Sequence, residues 1–349
     1  IIGAGIAGAA TARAVRALGS EAVVIEADRP GAGSSGNPAA LVTPRLDAGL
    51  GDAARLFAQA FGRAVQLYGQ VPGAVLSQGV LQLAADARDA DRFARVAVSD
   101  IFEPDALALL DAETGTARLG EPAPVTLDQG AAQVVAPAPI LAAWIGQTLT
   151  GAVAAIEPDG DGWRLLDADG AEMLRADAVI LTAGLASRDL NATVPLQPVR
   201  GQASWTDVAI PTPTAAWGGY VVSTPDGLLF GATHDRDDAD TGLRDEDHAR
   251  NLASLATALP ALAAQVAGRP LQGRASVRAV TPDRTPIAGQ VAPGLFALTG
   301  FGSRGFSLAP LLAEHVAALA LGAPSPIDRA QADLVAPDRF ARRAARRRS

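Results

Sequence analysis

The chain contains no cysteine, which excludes disulfide staples, thiolate metal sites, a cysteine nucleophile and any flavin attached through sulfur. Lysine is missing as well, and all 29 basic residues are arginine. Schiff-base lysine chemistry and a P-loop lysine therefore have no side chain to carry them. Together with the abundant alanine, this bias reads as the codon usage of a GC-rich genome. No apolar run approaches the ~20 residues that cross a bilayer, and no signal-peptide pattern is present. These absences suit a cytoplasmic protein without a membrane partner. The three histidines, His234, His248 and His315, lie far apart and none has ligand spacing to a carboxylate or to another histidine. No metal site is expected, and no Ser/His/Asp arrangement is legible.

A net charge of −8 argues against a globally basic nucleic-acid binder. The charge is uneven, because the closing RFARRAARRRS carries Arg339, Arg342, Arg343, Arg346, Arg347 and Arg348 and no acid. A short basic tail on an acidic body can hold phosphates locally, and a solvated helix end is the plainer reading. The stretch DRDDAD (235–240) reads as a solvated loop.

The 349 residues make room for about two domains at ~100–200 residues each. The chain opens IIGAGIAGAATARAVRALG. Ile1-Ile2 reads as the end of a buried strand, so more protein is expected upstream. Gly3–Gly8 is a turn, Ile6–Leu18 an amphipathic helix closed by Gly19, and Ala22–Glu26 a second strand. Further on, helices are expected over Ala53–Tyr68, Ala87–Val98, Pro137–Thr148 and most of Leu243–Val266. Strands are expected over Gly79–Ala84, in three stretches between 152 and 177, over AVILTAG (178–184), and through GQASW and GGYVVSTPDGLLFGAT between 201 and 233. A strand, a Gly-rich loop and a long helix close the chain. The expected architecture is α/β, a Rossmann-type nucleotide-binding domain built from 1–50, 131–195 and 270–349. A β-rich substrate domain built from 51–130 and 196–269 is inserted into it.

Gly3, Gly5 and Gly8 form Gly-x-Gly-x-x-Gly between a strand and a helix, with Glu26 ending the next strand. That is the setting in which the motif binds dinucleotides. Gly3 permits the tight turn, Gly5 the approach of backbone to pyrophosphate, and Gly8 the packing of helix on strand. The backbone of Ile6 and Ala7 lies at the helix N-terminus, where free N–H groups favour phosphate. Glu26, followed by Ala27 and with no basic neighbour, suits the hydroxyls of an unphosphorylated ribose, hence FAD or NAD in preference to NADP.

The segment GAGSSGNPAALVTPRLD (31–47) resembles the FAD-dependent amine and amino-acid oxidases of the D-amino-acid oxidase superfamily. So do GRASVRAVTPDRTPIAG (273–289) and TGFGSRGFSLAPLLAEHVA (299–317). The resemblance implies non-covalent FAD, with Ser35, Gly36 and Asn37 touching it and Ala39, Ala40 and Leu41 running beside its ring. It places Gly184 at the end of a cofactor-side strand and Gly302, Ser303, Gly305 and Phe306 on the loop at the flavin's pyrimidine edge. Arg278 and Arg304 match positions where such oxidases bind the substrate carboxylate, and Tyr220 lies on a strand like their active-site strand. A surface ion pair for either arginine, and an ordinary strand aromatic for Tyr220, are the structural alternatives.

GSSGNPAALVTPRLD, GFGSRGFSLAPLLAEHVA and the closing LVAPDRFARRAARR together resemble one family more narrowly. It is the C-terminal oxidoreductase module of the tRNA 5-methylaminomethyl-2-thiouridine biosynthesis bifunctional proteins. The resemblance implies oxidative removal of the carboxymethyl group of 5-carboxymethylaminomethyl-(2-thio)uridine at tRNA wobble position 34. The products are 5-aminomethyl-(2-thio)uridine and glyoxylate. It also implies an anticodon-loop partner contacted by the basic tail, and an S-adenosylmethionine-dependent methyltransferase domain upstream. The competing readings are a free-standing FAD oxidase of glycine, sarcosine or D-amino acids, a non-catalytic FAD-binding scaffold, and, more distantly, an NAD-dependent dehydrogenase.

Overall fold

A computed structural model describes residues 1–104 and 106–346, so Arg347 and Arg348 of the basic tail lie outside the described residues. The chain forms two compact units, each assembled from separated segments.

The first unit holds Ile1–Gly36, Pro137–Val199 and Arg278 onward. Its parallel sheet is centred on Ile2, which bridges Ile25 on one side and Leu181 on the other. Val24–Glu26 extends the sheet to Thr148–Thr150, and Val179–Leu181 extends it to Leu295–Thr299, all parallel. Ile287–Ala292 adds an antiparallel edge. These strands are short, and Ile2, Ile25, Val179 and Leu181 share one core cluster with Leu165, Trp163, Met173 and Leu174 from the segment 155–176. The helix Ile6–Ala17 buries Ala9, Ala10, Ala12 and Ala14 almost completely. Their small side chains let it pack closely on the Ala-rich helix Gly305–Leu321. A three-stranded antiparallel meander, Ala155–Asp159, Gly162–Leu166 and Glu172–Ala176, leads into Val179–Leu181. The expected helix Pro137–Thr148 ends at Ile145: Gly146, with φ +75, breaks it and releases Thr148–Thr150 as a strand.

The second unit holds Asn37–Ala136 and Arg200–Val277 around a ten-stranded sheet. Its strands alternate faces with a period of two. Val221, Leu228 and Phe230 pack with Leu255 and Leu262 of the helices Asp245–Ala258 and Pro260–Val266, and with Leu259 between them. Val222 and Leu229 point the other way, toward Ala39, Val134 and Ala203.

The segment boundaries differ from those expected. Residues 37–50 group with the second unit because Ala40–Val42 pairs with Val135–Gln133 of the long strand Thr126–Val135. That strand carries 131–136 with it. Residues 272–277 follow because their strand pairs with Gln197–Thr206. No helix among the described residues is long and apolar enough to cross a membrane.

Candidate active site

The first glycine turn is held from three sides. Gly3 donates its N–H to the Ile25 carbonyl at 2.8 Å and has φ +103. A Cβ there would lie 2.8 Å from both Ala183 Cα and the Thr182 carbonyl oxygen. A Cβ on Gly8 would overlap the Gly3 carbonyl oxygen, so the helix can seat against the turn only because position 8 has no side chain. Thr182 Oγ1 reaches the Ile2 and Gly3 carbonyls at 2.8 and 2.9 Å. Sequence reasoning passed over this threonine, because one hydroxyl in an apolar strand gives no pattern.

Gly5 caps the helix Ile6–Ala17 without a side chain, and Ser35 supplies the missing acceptor: its buried Oγ takes the Ile6 N–H at 3.0 Å. A Cβ on Gly5 would crowd that oxygen at 3.1 Å. Glu26 ends its strand with a carboxylate that accepts from the Ala4 N–H at 2.7 Å and the Asp28 N–H at 3.1 Å. The carboxylate is thereby fixed beside the turn. Ala7 is buried under the helix start, and Ala27 is exposed just beyond Glu26.

At the other end of the chain, the loop 300–305 meets the same helix. A Cβ on Gly305 would lie 3.0 Å from Ile6 Cγ2, so the start of the last long helix adjoins the start of the first. Gly302, with φ +57, donates its N–H to the Ala279 carbonyl at 2.9 Å, and Phe301 bridges Val280. This brings the chain segments of Arg278 and Arg304 side by side, both half-buried. Arg304 is the N-cap residue of Gly305–Leu321. Ser303 is exposed, and Phe306 is buried in the first helical turn. Gly184, with φ +58, accepts from Thr299 Oγ1 at 3.0 Å, which pins the neighbouring strand end.

In the second unit, Tyr220 packs half-buried on the same sheet face as Ala39 and Leu41; Ala40, the third residue expected beside a flavin ring, lies between them and is not in this cluster. Asn37 Oδ1 accepts from Arg274 Nη1 at 3.2 Å. Arg274, Trp205 and Leu76 of this face were not anticipated. A half-buried tryptophan or leucine in a strand reads as core until its neighbours are known.

Other expectations change. DRDDAD is an ion-paired loop: Arg244 binds Asp238 and Asp240 at 2.8 Å each, and Arg250 binds Asp235 at 2.8 Å. It is anchored to the fully buried Arg200, which pairs with Asp247 and donates to the Gly242 carbonyl at 2.6 Å. Ser204 Oγ lies 2.8 Å from His248 Nδ1 and accepts from Asn251 Nδ2 at 2.9 Å. Ser204 is completely buried, so this pair is a core network and not a nucleophile. His315 is buried against Ser325 Oγ at 2.8 Å, and desolvation lowers its pKa to about 4. Glu314 pairs with Arg13.

The described part of the tail, Arg339–Arg346, is a helix. Arg339 is 2 % exposed and holds both Asp283 oxygens at 3.0 Å, along with the carbonyls of Thr285, Val335 and Ala336. Burial alone would raise the Asp283 pKa. The bonds and charge of Arg339, the Thr285 N–H and Arg343 outweigh it and bring the pKa down to about 2. No cluster of metal-ligating side chains occurs among the described residues.

The first unit therefore offers what a dinucleotide needs: a tight glycine turn, a helix N-terminus and a fixed carboxylate. The residues fit FAD, and Gly3–Gly8, Glu26 and Ser35 are the ones that would hold it.

A family model for FAD dependent oxidoreductases matches residues 1–319. The chain is 56 % identical over 340 residues to the tRNA 5-methylaminomethyl-2-thiouridine biosynthesis bifunctional protein of Caulobacter vibrioides, covering 97 % of this chain and 57 % of that one. It is 54 % identical over 350 residues to the protein of that name from Caulobacter sp., covering 99 % and 58 %. It thus spans somewhat under three fifths of these relatives. Among solved structures, a glycine oxidase from Geobacillus kaustophilus superposes with a TM-score of 0.78 at 23 % identity, over 95 % of this chain and 96 % of that one. An iminodiacetate oxidase from Chelativorans sp. gives 0.78 at 21 % identity, over 94 % and 96 %, and both share the fold. The glycine turn, the loop that meets it from the far end of the sequence and the family match agree: the chain belongs to the FAD-dependent oxidoreductase family.

Proposed function

We propose that this chain oxidises the secondary amine of 5-carboxymethylaminomethyl-(2-thio)uridine at the wobble position of tRNA. The carboxymethyl carbon gives up a hydride and the amine nitrogen a proton, the C–N bond becomes an imine, and water then splits it. The products are glyoxylate and 5-aminomethyl-(2-thio)uridine. FAD, when bound, is the two-electron acceptor, and oxygen is the oxidant that restores it.

Arg278 and Arg304 read the glycine-like carboxylate. A guanidinium binds a carboxylate in a two-point, planar contact, which orients the adjacent carbon. Tyr220 lines the substrate side. A neutral amine needs no strong base, which suits a site whose sequence offers no catalytic histidine. The helix N-terminus at Arg304–Gly305 adds positive potential to the same loop. The anticodon loop is the partner, since its bases can be splayed for access, and the cytoplasm is the compartment.

The observation that carries this reading is the junction of Gly302 and Ala279, which joins two arginine-bearing segments in a chain more than half identical to tRNA-modifying relatives. The experiment is to incubate the FAD-loaded protein with tRNA carrying the carboxymethylaminomethyl nucleoside, digest it, and weigh the nucleosides by mass spectrometry. Conversion to the aminomethyl nucleoside is expected. An unchanged nucleoside while glycine or sarcosine is consumed would replace this reading with a small-amine oxidase.

A further inference from the structure

The sheet of the second unit is sealed on one face by the helices over 245–266 and only partly covered on the other. On that other face, Leu41, Leu76, Trp205, Tyr220 and Ala232 remain half-buried around a floor of Ala39, Ala203, Val222 and Leu229. Strand register sets Trp205 opposite Leu229, and Leu229 opposite Val222. Ala203 and Tyr220 both face Gly231 in the neighbouring register row. The Trp205 indole N–H donates to Gln272 Oε1 at 3.1 Å. Its polar edge is thus engaged within the protein, and what the indole presents to a ligand is its π face. Arg274 stands two residues beyond Gln272 on the same face of that strand and is tied to Asn37 at 3.2 Å.

We infer that Trp205, steadied by Gln272 and flanked by Arg274, is a specificity-determining residue that stacks on the pyrimidine base of the substrate. The inference rests on the tRNA reading above and names the part of the nucleotide this face recognises. Free glycine or sarcosine has no ring to cover an indole, so a small-amine oxidase has no use for a half-open tryptophan here. A base splayed from an anticodon loop has a π face and ring edges that accept from arginine, and aromatic stacking tolerates a 2-oxo or a 2-thio ring.

The test uses the full chain loaded with FAD and compares Trp205→Leu, which keeps apolar bulk, with Trp205→Phe, which keeps a π face. Anaerobic flavin bleaching is followed with two probes, an anticodon stem-loop bearing the carboxymethylaminomethyl nucleoside, and sarcosine. Trp205→Leu is expected to lower the stem-loop to sarcosine ratio of limiting bleaching rate over Kd by about tenfold, chiefly through Kd for the stem-loop, and Trp205→Phe to restore most of it. An unchanged ratio in Trp205→Leu, with the wild type active on the stem-loop, overturns the stacking role alone. A wild type that bleaches with sarcosine and never with the stem-loop overturns the tRNA reading and this inference together.

Discussion

Arg339→Met is the perturbation whose size is best set by the structure. The wild-type guanidinium is 2 % exposed and donates to both oxygens of Asp283, to the carbonyls of Thr285, Val335 and Ala336, and lies 4.2 Å over the Phe340 ring. Methionine keeps much of the length and loses every one of those bonds. Breaking a buried ion pair from one side costs about 3–5 kcal/mol, because the remaining charge is stranded. Asp283 is not fully stranded, since Arg343 and the Thr285 N–H remain and its side chain is 20 % exposed. The lower end, about 3 kcal/mol, is therefore expected. Urea unfolding at neutral pH measures it, and a double-mutant cycle with Asp283→Asn isolates the pair. The sign with pH follows from the depressed Asp283 pKa. Its contribution is complete above the unfolded value of 3.8 and is lost as pH falls toward about 2, a decline that Arg339→Met should flatten. The turn held by this latch runs from Thr281, whose Cγ2 would lie 2.7 Å from a Cβ on Gly300, so loosening it should also weaken flavin retention. A loss below about 1 kcal/mol, the size of a surface pair, or a cycle with no coupling would refute the latch.

Gly8→Ala would push a methyl into the Gly3 carbonyl oxygen, and the variant should purify without the visible flavin absorbance; a yellow protein would contradict the cradle. His315 is held neutral with a pKa of about 4 against 6.5 unfolded. Stability should therefore be full above pH 6.5 and fall between there and about pH 4, by up to about 1.4 kcal/mol per pH unit, and His315→Gln should lack that decline in urea midpoints. Arg278→Lys keeps charge and loses the planar fork, so KM for a carboxylate-bearing amine should rise roughly tenfold in steady-state assays. Because Arg342 is already paired with Asp333 and Asp338, Arg342→Gln should change the salt dependence of tRNA binding by less than the about 0.7–0.9 in slope that a free phosphate contact carries.

What could be read from the residues was whatever is local. The glycine motif, the meander, the hairpin at Pro225-Asp226-Gly227 and the long last helix each carry their signal within one turn or one strand. The strand Thr126–Val135 escaped because Gln129 and Gln133 are buried in it and break the apolar pattern. Ala40–Val42 is three residues long and exists as a strand only through its pairing with Thr126–Val135. That one pairing moves 37–50 out of the expected nucleotide domain. Arg339 was hidden by its company, since one buried arginine among six in a basic tail looks like the others. Ser204 and His248 are brought together by a helix folding over a sheet, which no spacing in the sequence encodes.

The tail also changes where binding energy for RNA has to come from. By composition, RFARRAARRRS offers a run of positive charge. In the folded chain Arg339 and Arg343 are held by Asp283, and Arg342 by Asp333 and Asp338 at 2.9 and 3.2 Å. A phosphate that engages Arg342 or Arg343 must displace a carboxylate, so each contact exchanges one ion pair for another and yields little net free energy. With a body that is acidic overall, most of the affinity for an anticodon loop is expected, under the proposed tRNA reading, to arise where the nucleotide is read, through the proposed base stacking and carboxylate-reading arginines. The consequence is measurable. Affinity for an anticodon stem-loop should depend strongly on the carboxymethylaminomethyl group and only weakly on ionic strength. A steep salt dependence that survives removal of that group would mean that the phosphates, and not the modified base, hold the RNA.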